Sequence, residues 1–326
     1  MILVIGSSNT DLIANVERFP SAGETVEGKL FLQAMGGKGA NQALAAHRLG
    51  GEVRFVTCLG NDANGRNTLF YYKQEGLDVS ARLIDNVSTG TAMILVNGEG
   101  ENCIIIIPGA NRELLPGYIQ TIEKEIAVAS MVVLQMEIPF ETVQMVCAMA
   151  TKHSIPVMLN VAPAREIDAD LVKKVDILVV NETEIEKISG QSIASIGEEG
   201  VIDKLLLMGA KTVILTLGGK GCIVRNKSIS QAIPAFNVVA VDTTAAGDTF
   251  CGALAARLSR GIDLIEAAKF ATAASAICVT RRGAQPSIPT EKEVNEFLNN
   301  PTDIRHEVLP ARSAPADNAP KARRKN

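Results

Sequence analysis

Short apolar runs alternate along this chain with stretches of helical periodicity, and that alternation restricts its fold more than any other feature. Residues 3–5, 53–58, 131–135, 157–160, 177–180 and 213–217 are each nearly continuous in apolar side chains. A strand half-exposed to water would alternate, so these runs are expected to be parallel strands covered on both faces. Helical patterns fall between them at 40–48, 65–74, 141–152, 183–188 and 201–208. Strand and helix in turn imply βαβ units, and so an α/β fold with a doubly wound, mainly parallel sheet flanked by helices. Two segments, at about 12–34 and 89–108, break the rhythm with strand-like pieces and no helix, the second with an Asn97-Gly98 turn. They are expected to form a small antiparallel β-sheet projecting from the main domain. The four isoleucines at 104–107 leave that strand no polar face, which calls for burial on both sides. A lone projecting sheet cannot supply this, whereas packing against a second copy of the chain would.

Composition sets the outer limits. A chain of 326 residues can hold one large α/β domain or two. A formal charge of −4 with interspersed signs argues against nucleic acid as a partner. No apolar run approaches a membrane span, and the first residues are too short an apolar run, with no basic flank, for a signal peptide. Six scattered cysteines without a C-x-x-C pair are expected to be reduced, which suits a cytoplasmic protein. From residue 301 the pattern dissolves into Ala, Pro, Arg, Lys and Asp. Residues 301–326 are therefore expected to be a disordered basic tail, and 1–300 the folded domain.

Two loops carry the chemistry. In the first, an apolar run at 235–241, read as a strand, leads into Asp242-Thr-Thr-Ala245-Ala246-Gly247-Asp248, and a helical pattern (Phe250, Leu254, Leu258) follows. The unpaired amides at such a helix start attract an anion, Gly247 allows close approach, and Asp248 stands alongside with a carboxylate. An anion cradle beside a base is what phosphoryl transfer to a hydroxyl requires; an ordinary helix N-cap is the alternative. The second loop, Gly36-Gly37-Lys38-Gly39-Ala40-Asn41, opens another helix with three glycines in four positions. It offers bare backbone and a carboxamide to a ligand, or is simply a flexible turn. Its Lys is followed by Gly39, so it is not a Walker-type phosphate loop.

Together these loops resemble the two signature regions of the ribokinase/phosphofructokinase-B family of carbohydrate kinases. Asn9-Thr-Asp11, Asn181-Glu-Thr-Glu184, Leu215-Thr-Leu217-Gly218 and Gly283-Ala-Gln-Pro-Ser287 extend the resemblance over nearly the whole chain short of the tail. It implies ATP-dependent phosphorylation of D-ribose at the 5-hydroxyl, giving D-ribose 5-phosphate and ADP. A 2-deoxyribose kinase is the near alternative, a nucleoside kinase a further one, and a catalytically inactive sugar sensor the non-enzymatic one. The small sheet becomes a lid over the sugar and the face of a homodimer. Asp248 becomes the base, with Ala245, Ala246 and Gly247 as its anion hole. Asn9, Asp11, Gly37, Lys38, Asn41 and Glu137 become sugar contacts. Asn181 and Glu184 would contact ATP and hold Mg²⁺ through water, although the same spacing is that of a helix capping box. Thr216, Leu217, Gly218, Gly219, Lys220, Gly221, Gly247 and Thr272 complete the ATP site, Thr272 replacing a frequent His of the family. Asp242, Thr244, Cys278, Arg281, Gly283 and Ser287 match a K⁺ site built mostly from main-chain carbonyls.

Overall fold

All six expected runs lie in one sheet of the computed structural model, which describes residues 1–300; the expected tail at 301–326 lies outside the described residues. The first half of the chain forms β1 (Ile2–Ile5), β2 (Asn9–Val16), β3 (Gly28–Gly36), α1 (Lys38–Arg48), β4 (Val53–Gly60), α2 (Ala63–Gln74), β5 (Asp78–Ile84), β6 (Gly90–Val96) and β7 (Asn102–Ile107). Next come α3 (Pro116–Thr121), α4 (Glu123–Ala127), β8 (Met131–Leu134), α5 (Phe140–Lys152), β9 (Val157–Asn160), α6 (Ala169–Val172) and β10 (Ile177–Asn181). The remainder forms α7 (Glu182–Ser189), α8 (Ile193–Met208), β11 (Thr212–Thr216), β12 (Cys222–Asn226), β13 (Ser230–Ile233), α9 (Ala246–Ser259), α10 (Leu264–Val279) and α11 (Glu291–Asn299).

The large sheet runs β13-β12-β11-β10-β9-β8-β1-β4-β5. It is parallel from β11 to β5, and β12 and β13 add an antiparallel margin. Why the runs do not alternate is visible in β1. Ile2 and Val4 join the core beneath α1, α9 and α10, while Leu3 and Ile5 join the core beneath α3, α4, α5, α7 and α8. Each such side chain contributes about 1.5–3 kcal/mol on leaving water, so both faces must stay covered. The strands β5, β12 and β13 were not among the expected runs. They lie toward the sheet margins, where Ser80, Arg82, Arg225 and Gln231 interrupt the apolar pattern.

Helices α1 and α9 touch along their backbones. A Cβ on Gly252 would stand 2.5 Å from the Ala45 Cβ and 2.7 Å from the Ala46 nitrogen, so only glycine permits this approach. One turn earlier on the two helices lie Asn41, Gln42 and Asp248, which the same approach brings together.

The run at 235–241, expected to be a strand, has no strand partner among the described residues. Pro234 follows the end of β13 and has no N–H to extend a ladder. The chain then crosses to the end of α10, where Val241 donates to the Val279 carbonyl at 2.7 Å, leaving Val239 and Val241 largely exposed. Its β-branched residues favour extension, but the connection decides against pairing.

The second sheet has the order β3-β2-β6-β7. Its outer pairs are antiparallel, and the middle β2–β6 pair is parallel. The register places Ile13, Leu32, Ile94, Ile104 and Ile106 on the face of Asp11, and Phe31, Met93, Ile105 and Ile107 on the opposite face. All four isoleucines are exposed in the single chain, as are Leu30, Phe31, Leu32 and Met93. Both faces therefore leave apolar side chains exposed among the described residues.

Candidate active site

The candidate residues gather at the carboxyl ends of the parallel strands. Asn9 follows β1, Glu137 follows β8, and Asn181 and Thr216 end β10 and β11. The strand order reverses at β1, which has β4 on one side and β8 on the other. A crevice opens where successive connections leave in opposite directions, and ligands of open α/β sheets bind there.

The glycine loop lies directly on the exit of β1. Gly37 adopts φ 90°, and a Cβ on it would stand 2.8 Å from the Asn9 nitrogen. One on Gly39 would stand 2.5 Å from the carbonyl carbon of Gly6 and the nitrogen of Ser7. This backbone contact carries the start of α1 to Glu137, whose Oε2 accepts from the Lys38 amide at 3.0 Å and from the Ser7 hydroxyl at 2.6 Å. Asn9 is held by Asn111, which donates to its Oδ1 at 2.7 Å and accepts the Ser8 amide at 2.9 Å.

Asp248 lies in the first turn of α9, 6% exposed. The residue before that helix, Ala245, has φ 60°, the left-handed region that a non-glycine residue enters only at a cost. The Ala246 amide makes a long turn bond to the Thr243 carbonyl at 3.3 Å, whereas the amides of Ala245, Gly247 and Asp248 have no acceptor among the described residues. An added Cβ on Gly247 would meet nothing within 4 Å, so its side faces open space. The two oxygens of Asp248 are individually held: Oδ2 by Asn41 Nδ2 at 2.9 Å and Oδ1 by Gln42 Nε2 at 3.0 Å.

Asp11 is the opposite case. It is 7% exposed, yet no donor among the described residues reaches its carboxylate. Burial, followed by the negative charges of Glu137 and Asp248, pushes its pKa up to about 7. Lys38 stands by Asp248 and Glu137: the charge of Asp248 raises its pKa against the opposing effect of burial, with help from Glu137 and Glu184.

Asn181 and Glu184 form the capping box that their spacing allows. The Asn181 amide donates to Glu184 Oε2 at 2.8 Å, and the Glu184 amide to Asn181 Oδ1 at 2.9 Å. The other Glu184 oxygen has no protein donor among the described residues, and burial raises the pKa of this acid despite the Asn181 bond. Leu217 is buried, with its amide on the Gly221 carbonyl at 2.8 Å; the Thr216 hydroxyl donates to the Val180 carbonyl at 3.3 Å. Gly218 and Gly219 face open space, and the Lys220 amine is paired with Glu182 and Glu198. Thr272 is turned inward instead: it is 6% exposed, and its hydroxyl donates to the Ala268 carbonyl at 2.9 Å.

The remaining candidates form one cluster. Asp242 ties the two segments together, accepting from the Thr244 amide and hydroxyl (2.9 and 2.6 Å) and from the Gly283 amide (2.8 Å). Burial would raise its pKa, but these bonds and the charge of Arg282 outweigh it and hold the carboxyl below its ordinary value. Cys278 Sγ lies 3.7 Å from the Thr244 carbonyl and 3.0 Å from the Ser287 hydroxyl. Arg281 is drawn away to Glu293, to which it donates at 2.6 Å.

The structure thus brings Asp11, Lys38 and Glu184 within electrostatic reach of Asp248, and Asp11 and Lys38 within reach of Glu137, from segments far apart in the chain. Sequence reasoning missed Ser7, Gln42, Asn111, Gln135 and Asn160. A signal for three of them existed: Gln42 lies among alanines on the buried face of α1, and Gln135 and Asn160 close apolar strands. A polar residue in such a setting needs a buried partner.

A sequence profile of the pfkB family carbohydrate kinases matches residues 1–291. The ribokinase of Haemophilus influenzae is 39% identical over 303 residues, covering 92% of this chain and 98% of its own. The deoxyribokinase of Salmonella typhi is 37% identical, with 91% and 98% covered. The structure of Arabidopsis thaliana ribokinase complexed with ribose and ATP superposes with a TM-score of 0.84 at 33% identity, over 91% of this chain and 98% of that one.

Proposed function

The chain belongs to the pfkB family of carbohydrate kinases, and on that premise we propose that it is a ribokinase, transferring the γ-phosphoryl group of ATP to the 5-hydroxyl of D-ribose. The observation that carries this reading is the pairing of two buried acids in opposite states. Asp248 is held by donors on both oxygens beside free helix-start amides; Asp11 is buried without any.

A buried carboxylate without donors is suited to a ligand that brings its own. Two adjacent sugar hydroxyls can donate to Asp11, while Asn9, Gly37, Lys38, Asn41 and Glu137 line the same crevice. Asp248 orients the attacking hydroxyl and takes its proton as the bond to phosphorus forms. The proton is transferred late, because a free alcohol is far less acidic than a carboxyl group. The amides of Ala245, Ala246 and Gly247 receive the charge developing on the phosphoryl oxygens, with the Ala246 turn bond giving way. Thr216, Leu217 and the turn from Gly218 to Gly221 take the nucleotide; Thr272 contributes to that pocket through its position in α10, not through its hydroxyl.

The donor set fits the implied ions. Glu184 keeps one carboxylate oxygen free, which suits a hold on hydrated Mg²⁺ jointly with Asn181, and Mg²⁺ would supply charge neutralisation on the phosphates. Among the described residues no group of three acidic, His or Cys side chains could enclose a metal, so the phosphates and water would supply the other ligands. Asp242 joins the segments carrying Thr244 and Gly283, with Cys278 and Ser287 alongside and Arg281 engaged elsewhere, an arrangement open to K⁺.

We assign residues 1–300 to one kinase domain in which the small sheet is the lid. The apolar side chains exposed on both its faces favour a homodimer formed sheet to sheet. Phe31 lies on the face away from Asp11, where it cannot stack on a nucleobase held over the sugar. Among the described residues no helix is long and apolar enough to cross a membrane, and all six thiols are free, five of them buried; the cytoplasm suits this state. Steady-state phosphorylation of a panel of pentoses, 2-deoxyribose and nucleosides under ATP, Mg²⁺ and K⁺ tests the assignment. D-Ribose should give the highest kcat/KM. A higher value for 2-deoxyribose would reassign the substrate, and ATP turnover without any sugar acceptor would refute the reading.

A further inference from the structure

Gln42 contributes no group to the crevice, yet the geometry points to it as the positioning residue that sets the plane of the Asp248 carboxylate, an inference that rests on Asp248 being the base. Its carboxamide is fully buried and every polar atom on it is used. Nε2 donates to Asp248 Oδ1 at 3.0 Å and to Asn160 Oδ1 at 3.1 Å, and Oε1 accepts from Gln135 Nε2 at 2.7 Å.

The direction of each bond follows from the next. Asn160 Nδ2 donates to the Val179 carbonyl at 3.2 Å, and a carbonyl can only accept. Asn160 must therefore turn its oxygen toward Gln42, and Gln42 must turn its NH₂ toward Asn160 and Asp248. A backbone carbonyl of β10 thus fixes, through two carboxamides, the donor that meets one oxygen of the base. Asn41 meets the other oxygen with its NH₂, while its own oxygen accepts from Gln285 Nε2 at 3.2 Å. With both oxygens pinned, the carboxylate cannot rotate, and the lone pairs left over keep one direction.

A cost elsewhere in the site supports the reading. Gln135 spends its NH₂ on Gln42, and its own oxygen is buried without a partner among the described residues. A buried orphan acceptor of this kind costs about 1–3 kcal/mol. The backbone also yields to it, because a Cβ on Gly6 would overlap that oxygen. A core selected for stability alone would place an apolar side chain at position 135.

The test is a double-mutant cycle on kcat with Gln42→Met and Asp248→Asn, with sugar and ATP affinities and melting curves recorded for every variant. Gln42→Met keeps the length of the side chain and removes its donors. It should lower kcat by about tenfold to a hundredfold while KM for sugar and ATP stays within about threefold, the pattern of a lost transition-state geometry. In the Asp248→Asn background the same change should alter kcat less than about twofold, because no carboxylate remains to be positioned. Asn160→Ala, which frees the Gln42 carboxamide to turn over and leaves α1 and α9 untouched, should give a smaller kcat loss of the same pattern and serves if Gln42→Met does not fold. Equal fold losses in both backgrounds, or an unchanged kcat in Gln42→Met or Asn160→Ala, would overturn the inference. A near-parental kcat for Asp248→Asn alone would instead remove the base assignment beneath it.

Discussion

Asp11→Asn should make the sugar-free protein's stability less sensitive to pH while abolishing tight sugar binding. In the parent the folded-state pKa of Asp11 is about 7, against an ordinary 3.8. The difference, 7 − 3.8, is about 3 units, and at 1.36 kcal/mol per unit the ionised group costs the fold about 4 kcal/mol once the pH exceeds 7. The sign is set by proton uptake: between pH 4 and 7 the native state retains a proton that the unfolded chain has released. Stability therefore falls as pH rises through that window, by about 1.4 kcal/mol per unit, with no cost below it. Asparagine fills nearly the same volume and does not titrate, so this component of the slope vanishes. A buried carboxamide without a partner has its own constant cost of about 1–3 kcal/mol, so the comparison is one of slopes. Urea unfolding of both proteins without sugar at pH 5, 6, 7 and 8 measures them. The variant should gain on the parent by about 2 kcal/mol from pH 5 to 7, with little further change above pH 8. Ribose at pH 8 should raise the parent's midpoint and leave the variant's unchanged. Parallel pH curves for the two proteins would refute the reasoning.

Asp248→Asn should keep the fold and sugar binding and lower kcat by about two to four orders of magnitude, as expected for loss of a positioned proton acceptor; turnover within a few-fold of the parent removes it from the mechanism. Gly39→Ala should unfold the site or the protein, because its Cβ meets backbone at 2.5 Å, whereas Gly247→Ala meets nothing and should melt within about 2 °C of the parent yet lose activity as the methyl group crowds the phosphate. A stable, active Gly39→Ala or a fully active Gly247→Ala would contradict these placements. At constant ionic strength K⁺ should raise turnover severalfold over Na⁺ or Li⁺, and equal rates in all three and in a bulky organic cation would eliminate the ion site. Ile105→Lys, which charges the outer face of the small sheet, should shift the sedimentation coefficient from dimer to monomer; an unchanged value would place the dimer contact elsewhere.

The apolar runs were sufficient by themselves to determine a parallel sheet buried on two sides, because a strand covered on both faces cannot tolerate a polar stripe. The break in that rhythm likewise marked the small sheet, and turns of small residues ahead of helical patterns marked both candidate loops. The run at 235–241 shows where this logic ends, since extended propensity does not say whether a partner strand lies within reach. Only the tertiary structure decided which polar residues meet. Gln42 and Asp248 are 206 positions apart, and their contact depends on α1 and α9 closing over Gly252, a long-range packing event that leaves no local pattern. The opposite states of the two acids were also settled by the fold. Asp11 and Asp248 are the same residue type and almost equally buried, and what separates them is the donors that each one's neighbours provide or withhold.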